Sequence, residues 1–544
     1  MSRDEIRVRW SDDAPESTLP TAPRAAGNLA ERLSRASRPL NTRCGQRGLC
    51  GGCTVQLIAG RFHHGDGAVV AAPAEIKACQ GYVPPGASVV IAVPARSLAV
   101  HRPQIVTTFK VNVPTAQDPI VPVVPGVRDH GFAIDIGTTT VVVTLVDLRS
   151  GAIVAEQSAF NRQIELGDDV ITRIQLAGTP ERREELRQAI VARTLVPLTH
   201  EVCAMACVNT TRLAGAVIAG NTTMLHLLTG TDPTSMGVAP FRAAFTSHRV
   251  MVAGELGLTD MRPAMPVHLL PGFSAYVGAD LVAGCVCTGL LNNAGPNLLV
   301  DIGTNGEILL HHEEQLLATA TAAGPAFEGG RLACGTRAVA GAIEHIAFPE
   351  NTFPPRLEVI PGAPHVVGLC GSAYVDFLAH ARRLELLNPN GRLTAAAWAA
   401  LPAAHRYDNG ATRGVRLDPN APASLITEAD IAHLMQAKAA IAAGILMLLH
   451  RARLTPREVR RLYLAGGFGL HLDVPHAIAC GLLPGFEPAQ IEIVGNTALG
   501  GAWCALNDRG VLPDMIAAST AAEIVELNLE PSFEDAFIDQ LALP

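Results

Sequence analysis

Aromatic side chains are scarce in this sequence, since phenylalanine, tryptophan and tyrosine together make up 4% of its 544 residues. The chain also has no basic tract, and its net charge at pH 7 is −8. Proteins that bind nucleic acid usually offer a basic surface to the phosphates and aromatic rings to the bases. The composition therefore gives no support to nucleic acid as a partner.

Long hydrophobic runs are missing as well. The longest, Ala439 to Leu449, falls short of the roughly 20 apolar residues that a membrane-spanning helix needs. Residues 1–16 are rich in charge and contain no apolar segment of the kind found in secretory signals. We therefore expect a cytoplasmic protein that uses no membrane, and we expect its twelve cysteines to be reduced.

Lysine is rare too, with three residues against 39 arginines. A lysine that is kept where arginine is the rule is a candidate for a role that arginine cannot fill. Lys438 lies in an alanine-rich helix that we predict to begin at Thr427, which forms a capping-box pattern with Asp430, and to run to about Arg451. We treat Lys438 as a candidate contact for a nucleotide or a partner.

Four cysteines near the start form a metal-binding pattern. Cys44, Cys50 and Cys53 lie in one glycine-rich loop, and Cys79 follows 25 residues after Cys53. Four thiolates suffice for one [2Fe–2S] cluster, and glycines let the backbone fold tightly around it. Zinc is the alternative, although zinc modules usually present two separated pairs of ligands. The strand–helix–cysteine loop–strand order of residues 1–95 resembles a plant-type or adrenodoxin-type ferredoxin, which implies an α+β domain of β-grasp type.

The segment that follows is rich in proline. Residues 94–128 contain six prolines, and we predict a semi-rigid, extended linker at residues 96–129 that separates the electron carrier from the rest of the chain. The later cysteines include two close pairs, Cys203 with Cys207 and Cys285 with Cys287. We expect both pairs to be buried, reduced side chains rather than ligands of a second cluster.

The tetrapeptide Asp-Ile-Gly-Thr occurs twice, at residues 135–138 and 301–304, each time after an apolar strand. Such a turn directs N–H groups and hydroxyls to one side and favours phosphate binding, while the preceding aspartate can hold Mg²⁺ or orient a water. A second echo pairs Gly220-Asn221-Thr222 with Gly495-Asn496-Thr497. The two echoes predict a duplicated fold with a nucleotide between its halves.

Other small and acidic residues lie near these turns. Glu307 follows the second turn, and Glu328 belongs to a loop of small residues that includes Gly324; both acids are candidates for binding a Mg²⁺-bound water. Gly371 and Ser372 fall where we predict a helix to begin, so their N–H groups could bind phosphate.

Two phosphate hairpins followed by a late apolar strand ending in Gly466-Gly467 resemble the ATPase superfamily of actin, sugar kinases and heat-shock chaperones. The resemblance implies an α/β fold of two ribonuclease-H-like lobes, residues 130–293 and 294–544, that binds ATP with Mg²⁺. The implied catalytic residues are Asp135, Asp301 and Glu307. The candidate nucleotide contacts, including those suggested above, are Gly137, Thr138, Thr139, Gly303, Thr304, Asn305, Gly324, Gly371, Ser372, Lys438, Gly466 and Gly467.

Joined to an N-terminal ferredoxin, these motifs look like a reductive activator of corrinoid-dependent enzymes. The residues that carry the match are the four cysteines together with segments 135–140, 167–173, 220–224, 301–307, 323–329, 368–372, 436–438 and 465–469. One departure is Arg162 after Asn161, where that family's pattern leads us to expect proline, and it leaves the shape of this loop open.

The resemblance implies ATP-dependent one-electron reduction of a corrinoid protein from Co(II) to Co(I), with the electron passing through the [2Fe–2S] cluster. The implied partners are a corrinoid protein or cobalamin-dependent methyltransferase and an upstream low-potential donor such as a ferredoxin, flavodoxin or reductase; a homodimer is compatible with it. The chain lacks the Asp-x-His-x-x-Gly pattern of many cobalamin-binding modules. We therefore expect the corrinoid to belong to the partner.

Three other functions fit parts of the same pattern. A small-molecule kinase with a fused electron carrier would transfer phosphate to an acid or a sugar. An ATP-driven electron donor to a dehydratase would place its cluster ligands differently, so the N-terminal ferredoxin weighs against it. A redox-sensing module with an inactive ATPase site is disfavoured because Asp135 and Asp301 are both intact.

Overall fold

A computed structural model of the chain describes residues 5–10, 16–21, 23, 27–36, 40, 53–94, 97, 107–167, 169–303 and 305–544. Of the candidate site residues, Cys44, Cys50 and Thr304 lie outside the described residues.

The N-terminal unit is built on a mixed five-stranded sheet with the order β2-β1-β8-β3-β6. Strands β1 and β8 run parallel at its centre and the other neighbours are antiparallel, which is the arrangement of a β-grasp sheet. The predicted strands and helix of this unit are confirmed, and Asn28 caps the helix by accepting from the Glu31 N–H at 2.9 Å. The elements are β1 (Glu5–Trp10), β2 (Ser17–Pro20), α1 (Leu29–Arg35), β3 (Thr54–Ala59), β4 (Arg61–His64), β5 (Val69–Ala71), β6 (Ala74–Lys77), β7 (Gly81–Tyr82) and β8 (Val89–Val93).

We call residues 107–128 the strap. The sequence analysis predicted a linker that separates the N-terminal unit from the rest of the chain, but the strap is bound to the lobes. The strap is extended, but its backbone bonds to the lobes that follow it: the Lys110 N–H donates to the Val494 carbonyl at 3.0 Å and the Asn112 N–H to the Cys287 carbonyl at 2.9 Å. Val121 is 2% exposed. Prolines remove only their own N–H groups, so the residues between them remain able to bond and to bury apolar side chains.

The first lobe contains a six-stranded sheet with the order β11-β10-β9-β12-β14-β13. Helix α3 continues directly into α4, because a π-helical segment at Val191–Leu195 joins them. The elements are β9 (His130–Ile136), β10 (Thr140–Asp147), β11 (Ala152–Phe160), α2 (Val170–Leu176), α3 (Pro180–Ile190), α4 (Val196–Met205), β12 (Leu213–Gly220), α5 (Thr222–Thr229), β13 (Arg249–Val252), α6 (Ala253–Leu256), β14 (Pro266–Leu269) and α7 (Ala279–Cys287).

The second lobe contains another six-stranded sheet, with the order β25-β24-β15-β16-β17-β26, together with two three-stranded sheets, β19-β18-β20 and β21-β22-β23. Its elements are β15 (Asn297–Ile302), β16 (Gly306–His312), β17 (Gln315–Thr321), β18 (Ala342–Ala347), β19 (Arg356–Val359), β20 (Gly368–Leu369), α8 (Gly371–Arg383), α9 (Ala395–Ala400), β21 (Arg406–Asp408), β22 (Arg413–Arg416), β23 (Leu425–Thr427), α10 (Glu428–Arg451), β24 (Arg461–Ala465), α11 (Val474–Ala479), β25 (Ile491–Gly495), α12 (Thr497–Asn507), α13 (Val511–Ala521), β26 (Glu523–Ile524) and α14 (Phe533–Gln540).

The two large sheets repeat one topology. In each, three antiparallel strands are followed by a strand parallel to the first and then by another parallel neighbour: β9, β10, β11, β12 and β14 in one lobe, and β15, β16, β17, β24 and β25 in the other. This confirms the predicted duplicated α/β fold. Because ligands of open parallel sheets bind beyond the carboxyl ends of the strands, the duplication brings the ends of β9 and β15 to one cleft.

Helix α10 is the central helix of the second lobe. The predicted capping box is present, since Thr427 accepts from the Asp430 N–H and the Asp430 carboxylate accepts from the Thr427 N–H. Within the part of the chain that the structure describes, α10 alone is long and apolar enough to pass a length-and-composition test for a membrane span, and 78% of its most apolar stretch is buried inside the protein.

Candidate active site

The two Asp-Ile-Gly-Thr segments form hairpin turns that open onto the same cleft. In the first turn the Gly137 N–H donates to the Thr140 carbonyl at 2.9 Å, and in the second the Gly303 N–H donates to the Asn305 carbonyl at 2.9 Å. A Cβ on Gly137 would lie 2.9 Å from the Thr140 carbonyl oxygen, so the first turn closes too tightly for a side chain there. Each turn follows the end of a buried strand, which fixes its position relative to the sheet.

The cleft contains two adjoining cavities, with volumes of about 150 Å³ and 190 Å³. Thr139, Thr140, Gly303, Glu328 and Gly467 line both of them. The first, which we call the phosphate cavity, is also lined by Asp135, Gly137, Thr138, Asn221, Asp280, Leu281, Asp301, Asn305, Glu307, Gly466, Asn496 and Ala498. The second, the nucleoside cavity, is also lined by Ile302, Phe327, Thr336, Arg337, Ala338, Glu344, Cys370, Gly371, Ser372, Phe468 and His471.

Five carboxyl groups line the phosphate cavity; apart from Glu328, two come from the first lobe, Asp135 and Asp280, and two from the second, Asp301 and Glu307. Burial raises the pKa of Asp135 to about 7, with Asp280 adding to the rise and the Asn496 amide opposing it. Burial also raises the pKa of Asp301 to about 7, with contributions from Asp280 and Asp135, and that of Asp280 to about 6. The pKa of Glu307 is well above its ordinary value, first because of burial and then because of Asp280 and Asp301. Burial is thus the first cause in every case, and neighbouring carboxyl groups add to it at Asp135, Asp301 and Glu307.

A divalent cation would relieve this repulsion. Mg²⁺ in phosphate sites is typically held by one or two carboxylates, by phosphate oxygens and by waters, rather than by a full set of protein ligands. Among the described residues, no group of three or more His, Cys, Asp or Glu side chains is arranged to hold a bare metal ion. The all-oxygen donor set thus fits Mg²⁺ that arrives with a nucleotide better than it fits a permanently bound metal.

Asp280 is a site residue that the sequence analysis missed. It lies in the first turn of α7, and a Cβ on Gly278 would lie 2.7 Å from the Thr222 nitrogen, so α7 begins directly against the Asn221 turn. A signal was present in the sequence, because Asp280 is the one charged residue in a helix that is otherwise apolar from Ala279 to Cys287.

Asn221 and Asn496, the asparagines of the repeated Gly-Asn-Thr motif, also lie at the site, and the sequence did not indicate their roles. Asn221 caps α5 by accepting from the Thr223 N–H at 3.0 Å, and Asn496 caps α12 by accepting from the Leu499 N–H at 2.9 Å. The Asn496 amide also donates to the Asp135 carboxylate at 2.9 Å. The second member of the echo therefore links the end of β25 in the second lobe to Asp135, the catalytic candidate of the first lobe.

A bridge across the cleft joins the first phosphate turn to the second lobe. The Thr139 hydroxyl donates to the Glu328 carboxylate at 3.0 Å, and Arg337 donates to the same oxygen at 3.4 Å. Glu328, predicted as a metal-water candidate, therefore lies against the phosphate turn. Gly324, predicted as a nucleotide contact, lines neither cavity. It precedes the 3₁₀ turn Pro325–Glu328 and so positions Glu328.

Glycines and aromatic rings shape the nucleoside cavity. The Phe327 and Phe468 rings stack with centroids 4.9 Å apart, and Gly371 lies so close to the Phe327 carbonyl that no side chain fits between them. Gly466 has φ +90°, and a Cβ there would lie 2.6 Å from the Asp301 carboxylate. The Ser372 hydroxyl donates to the Glu344 carbonyl at 2.7 Å. Gly371, Ser372, Gly466 and Gly467 thus lie at the cleft, as the sequence predicted.

The structure does not place Lys438 at the nucleotide cleft, where the sequence analysis had made it a candidate contact. Its ammonium group donates to the Ala542 carbonyl at 2.8 Å, it is 1% exposed, and it lines neither cavity. Burial lowers its pKa to about 8. Periodicity placed Lys438 on a helix, but it did not reveal that this face of α10 packs against the C-terminal segment, so the structure gives Lys438 a packing contact instead of a nucleotide contact.

Two of the four candidate cluster ligands are described, and they lie close together. Thr54 pairs with Lys77 across β3 and β6, and the Ala78 N–H donates to the Cys53 carbonyl at 3.1 Å, which brings Cys53 next to Cys79. Cys53 is 1% and Cys79 6% exposed. The Gln80 amide lies 3.3 Å from the Cys79 sulfur and donates toward it. Buried thiols with N–H donors aimed at sulfur fit an iron–sulfur cluster.

The sequence analysis predicted that Cys203, Cys207, Cys285 and Cys287 are buried, and this is confirmed for all except Cys207. Cys203, Cys285 and Cys287 are buried and not disulfide-bonded, whereas Cys207 is exposed at the end of α4. Burial raises the pKa of Cys203 to about 11 and that of Cys285 to about 12, so these thiols stay protonated at neutral pH.

The carboxyl cluster generates a pH prediction for Asp280→Asn. Because folded-state pKa values near 6 to 7 exceed the value of about 3.9 for an unfolded aspartate, folding takes up protons and stability falls as the pH rises through that window. Removing this carboxyl group should therefore raise the melting temperature of the nucleotide-free protein by roughly 2–4 °C at pH 8 and by about half as much at pH 5, where an unfolded aspartate is already ionised and the folded Asp280 is still protonated. Thermal unfolding at both pH values measures this.

The matched control is Asp514→Asn, which changes an exposed aspartate in the first turn of another helix, α13. It should not raise the melting temperature at either pH, since Asp514 favours the helix dipole. A loss of stability for Asp280→Asn that is larger at pH 8 than at pH 5 would contradict the repulsive cluster.

Family models match the chain over most of its length. The model described as the RACo middle region matches residues 130–293, and the model described as the C-terminal domain of RACo, the ASKHA domain, matches residues 295–544.

The alignments with three similar proteins cover most of this chain and most of each of those proteins. A protein of Eubacterium limosum named corrinoid activation enzyme RamQ is 32% identical over 418 residues, which cover 75% of this chain and 69% of that protein. A Methanosarcina barkeri protein named [Co(II) methylated amine-specific corrinoid protein] reductase is 22% identical over 76% of this chain and 77% of its own. A solved structure named reductive activator for corrinoid, iron–sulfur protein has a TM-score of 0.70 and 29% identity, and covers 99% of this chain and 98% of its own. The duplicated lobes, the double phosphate turn and these matches together show that the chain belongs to the RACo family of corrinoid-activating proteins with an ASKHA ATPase fold.

Proposed function

We propose that this protein uses ATP to reduce a corrinoid protein from inactive Co(II) to Co(I), with the electron passing through an N-terminal [2Fe–2S] cluster. The observation that carries the proposal is that a two-lobed cleft with two phosphate-type turns and a cysteine-bearing β-grasp unit occur in one chain, whose relatives are named as corrinoid activators and reductases.

The step adds one electron to cobalt, and an external low-potential donor such as a ferredoxin, flavodoxin or reductase supplies it. A step that is uphill by ~200 mV costs ~4.7 kcal/mol for one electron, scaling from 59 mV per tenfold change. ATP can offset this only if it binds two conformations of the protein with different affinity. A cleft built from two lobes provides such a pair of conformations, open and closed.

Within the cleft, the two Gly-Thr turns would bind phosphate oxygens through N–H groups and hydroxyls. Asp135 and Asp301 would hold waters of a nucleotide-bound Mg²⁺, and Glu307 would accept from a water beside them. With Mg²⁺ bound these carboxyl groups would be ionised, and one of them would accept a proton from an attacking water.

The strap supports a mechanical connection between this cleft and the N-terminal unit. The Thr108 carbonyl accepts from the Asn496 N–H at 3.0 Å, and the Asn496 side chain contacts Asp135. A Cβ on Gly495 would lie 2.3 Å from the Thr108 carbonyl oxygen, so the strap and this turn are in close contact. A rearrangement around bound phosphate at Asp135 therefore reaches the chain segment that leads to the cysteine-bearing unit.

At the other end of the chain, Cys44, Cys50, Cys53 and Cys79 would hold the cluster, which supplies one-electron transfer when bound. Cys53 and Cys79 are buried at one end of the β3–β6 pair, and Gln80 provides a donor to sulfur, which would help to set the potential. The corrinoid would belong to the partner, a corrinoid protein or cobalamin-dependent methyltransferase. We place the reaction in the cytoplasm, and a homodimer is compatible with it.

The decisive experiment mixes the reduced protein, an electron donor and a Co(II) corrinoid protein, and follows the Co(I) absorption band with and without MgATP. We expect Co(I) to accumulate only with MgATP, because the nucleotide supplies the free energy that the donor lacks. ATP-independent Co(I), or phosphate transfer from ATP to a small acid or sugar in place of Co(I), would overturn the proposal and favour a plain reductase or a kinase.

Two variants should separate the electron path from the nucleotide path. Cys50→Ser should abolish the visible iron–sulfur spectrum and leave ATP binding intact, since it removes a predicted cluster ligand and changes none of the residues that line the cleft. Asp301→Ala should keep the spectrum and lose ATP turnover. A matched sulfur control is Cys207→Ser, which alters an exposed cysteine outside the predicted ligand set and should change neither readout. An unchanged spectrum in Cys50→Ser would refute the ligand assignment.

A further inference from the structure

A further cavity, which we call the strap cavity, lies at the amino-terminal ends of β15, β24 and β25. The cleft lies at the carboxyl ends of the same parallel strands. On β15, Asn297 lines the strap cavity and Asp301 lines the cleft, so their Cα atoms are ~13 Å apart at about 3.3 Å per residue. The strap, the segment between the lobes and the second lobe all contribute to its lining, which includes Asn112, Asn292, Asn297, Arg460, Tyr463 and Glu492.

The size and lining of the strap cavity suit a small polar ligand. Its volume is about 370 Å³, larger than either cavity of the cleft and within the range of small-molecule sites, roughly 300–1,000 Å³. Among the described residues that line it, Ala294 alone is apolar, and the others are four asparagines, two arginines, a tyrosine and a glutamate. Such a lining offers many hydrogen bonds and little apolar contact.

Asn297 has a buried acceptor that the protein does not use. Its amide N–H groups donate to the Asn293 carbonyl at 2.9 Å and to the Leu290 carbonyl at 3.4 Å. These bonds fix the orientation of the amide, because a flipped amide would set its oxygen against two carbonyl oxygens. The residue is 1% exposed, and its side-chain oxygen has no hydrogen-bond partner among the described residues. Since buried polar groups are nearly always paired, this oxygen points to a ligand with an O–H or N–H group.

Tyr463 provides a donor on the same buried side of the cavity. Its hydroxyl accepts from the Asn293 amide at 2.8 Å, which leaves its own hydrogen for a ligand oxygen. Tyr463 is 3% exposed. A hydroxyl group both donates and accepts, so hydroxyl groups on a ligand match an acceptor at Asn297 and a donor at Tyr463.

The exposed side of the cavity is positively charged. Arg460 and Arg461 are exposed there, and Lys110 of the strap lies beside them. The acidic residue of the lining is Glu492, whose carboxylate oxygens lie 4.0 Å from Arg461 Nε and 3.9 Å from Lys110 Nζ. Three positive charges thus face one negative charge, and guanidinium groups are well suited to phosphate.

We propose that the strap cavity binds a small phosphorylated compound with free hydroxyl groups, of the chemical class of sugar phosphates. Its hydroxyl groups bond to Asn297 and Tyr463 on the buried side, and its phosphate binds Arg460 and Arg461 on the exposed side. A bare oxyanion would leave most of the cavity unfilled, and a neutral sugar would make no use of the arginines. The site is separate from the nucleotide cleft and does not depend on the proposed reduction of a corrinoid protein.

A ligand in this cavity would contact three segments at once. Asn112 belongs to the strap, Asn292 to the segment between the lobes, and Arg460 to the second lobe. Binding should therefore hold these segments together and slow hydrogen exchange in residues 110–112 and 288–296. The ligand would then act on the contact between the strap and the lobes rather than as a substrate of the cleft.

The test is calorimetric titration of the full-length protein with ribose 5-phosphate and glucose 6-phosphate, in saturating MgADP so that the cleft is filled. At least one of these probes should bind about tenfold or more tightly than ribose, glucose or inorganic phosphate. Arg460→Gln should weaken that binding by about tenfold, since it removes a charge-assisted contact to phosphate, and Tyr463→Phe by roughly twofold to tenfold, since it removes one neutral hydrogen bond. Arg457→Gln is the matched control, because Arg457 is exposed three residues before Arg460 and does not line the cavity; it should leave the affinity unchanged.

Hydrogen–deuterium exchange with the bound probe locates the site, and thermal unfolding checks that each variant folds. Arg461→Gln replaces Arg460→Gln if the latter is unstable. The inference is overturned if neither probe binds more tightly than its fragments, if MgADP abolishes the binding, or if Arg457→Gln and Arg460→Gln weaken it equally. Protection of the turn from Gly137 to Thr139 in place of residues 110–112 and 288–296 would also overturn it.

Discussion

The mutual repulsion of four carboxyl groups in one cleft is the constraint on which the rest of the structure depends. Asp135 and Asp280 come from the first lobe, and Asp301 and Glu307 from the second, so bringing the lobes together brings the charges together. Burial, with a smaller contribution from neighbouring carboxyl groups, raises the pKa values of Asp135 and Asp301 to about 7. A nucleotide that carries Mg²⁺ brings both the positive charge that this cluster needs and the phosphates that the two Gly-Thr turns can bind. The approach of the lobes is therefore coupled to a charged ligand.

Contacts around this cluster connect it to the rest of the chain. Asn496 links Asp135 to the end of β25 in the second lobe, and its own N–H donates to the strap. Glu328 links the first phosphate turn to Arg337 on the opposite side of the cleft. Each link is a small number of hydrogen bonds between elements that are themselves well packed, so a change at the phosphates has a short path to the lobe interface and to the segment that precedes the lobes.

Much of this site could be predicted from sequence because its local signals are strong. The repeated Asp-Ile-Gly-Thr turn identified Asp135 and Asp301, and the repeated Gly-Asn-Thr pattern independently indicated duplication, because turn geometry depends mainly on nearby residues. The capping box at Thr427 and Asp430 predicted the start of α10 for the same reason. Asp280 escaped detection because its role arises from the close approach of α7 to the Asn221 turn, which only the folded chain creates.

The errors have the same origin. Lys438 was placed correctly on its helix, but its contact with the Ala542 carbonyl depends on packing between segments about 100 residues apart. The strap was expected to separate two units because proline-rich chains are extended. Extension is local, however, whereas the docking of Lys110 and Asn112 on the lobes depends on carbonyl groups far along the chain, at Val494 and Cys287.

The most direct test of the account is calorimetric titration of the nucleotide-free protein with ATP at pH 6.5, in two buffers of different ionisation enthalpy, with Mg²⁺ or with EDTA. If the carboxyl cluster holds protons until Mg²⁺ arrives with the phosphates, MgATP should bind with release of protons, and ATP in EDTA should bind much more weakly. Binding of equal strength in EDTA, or MgATP binding without proton release, would contradict the central role of these four carboxyl groups.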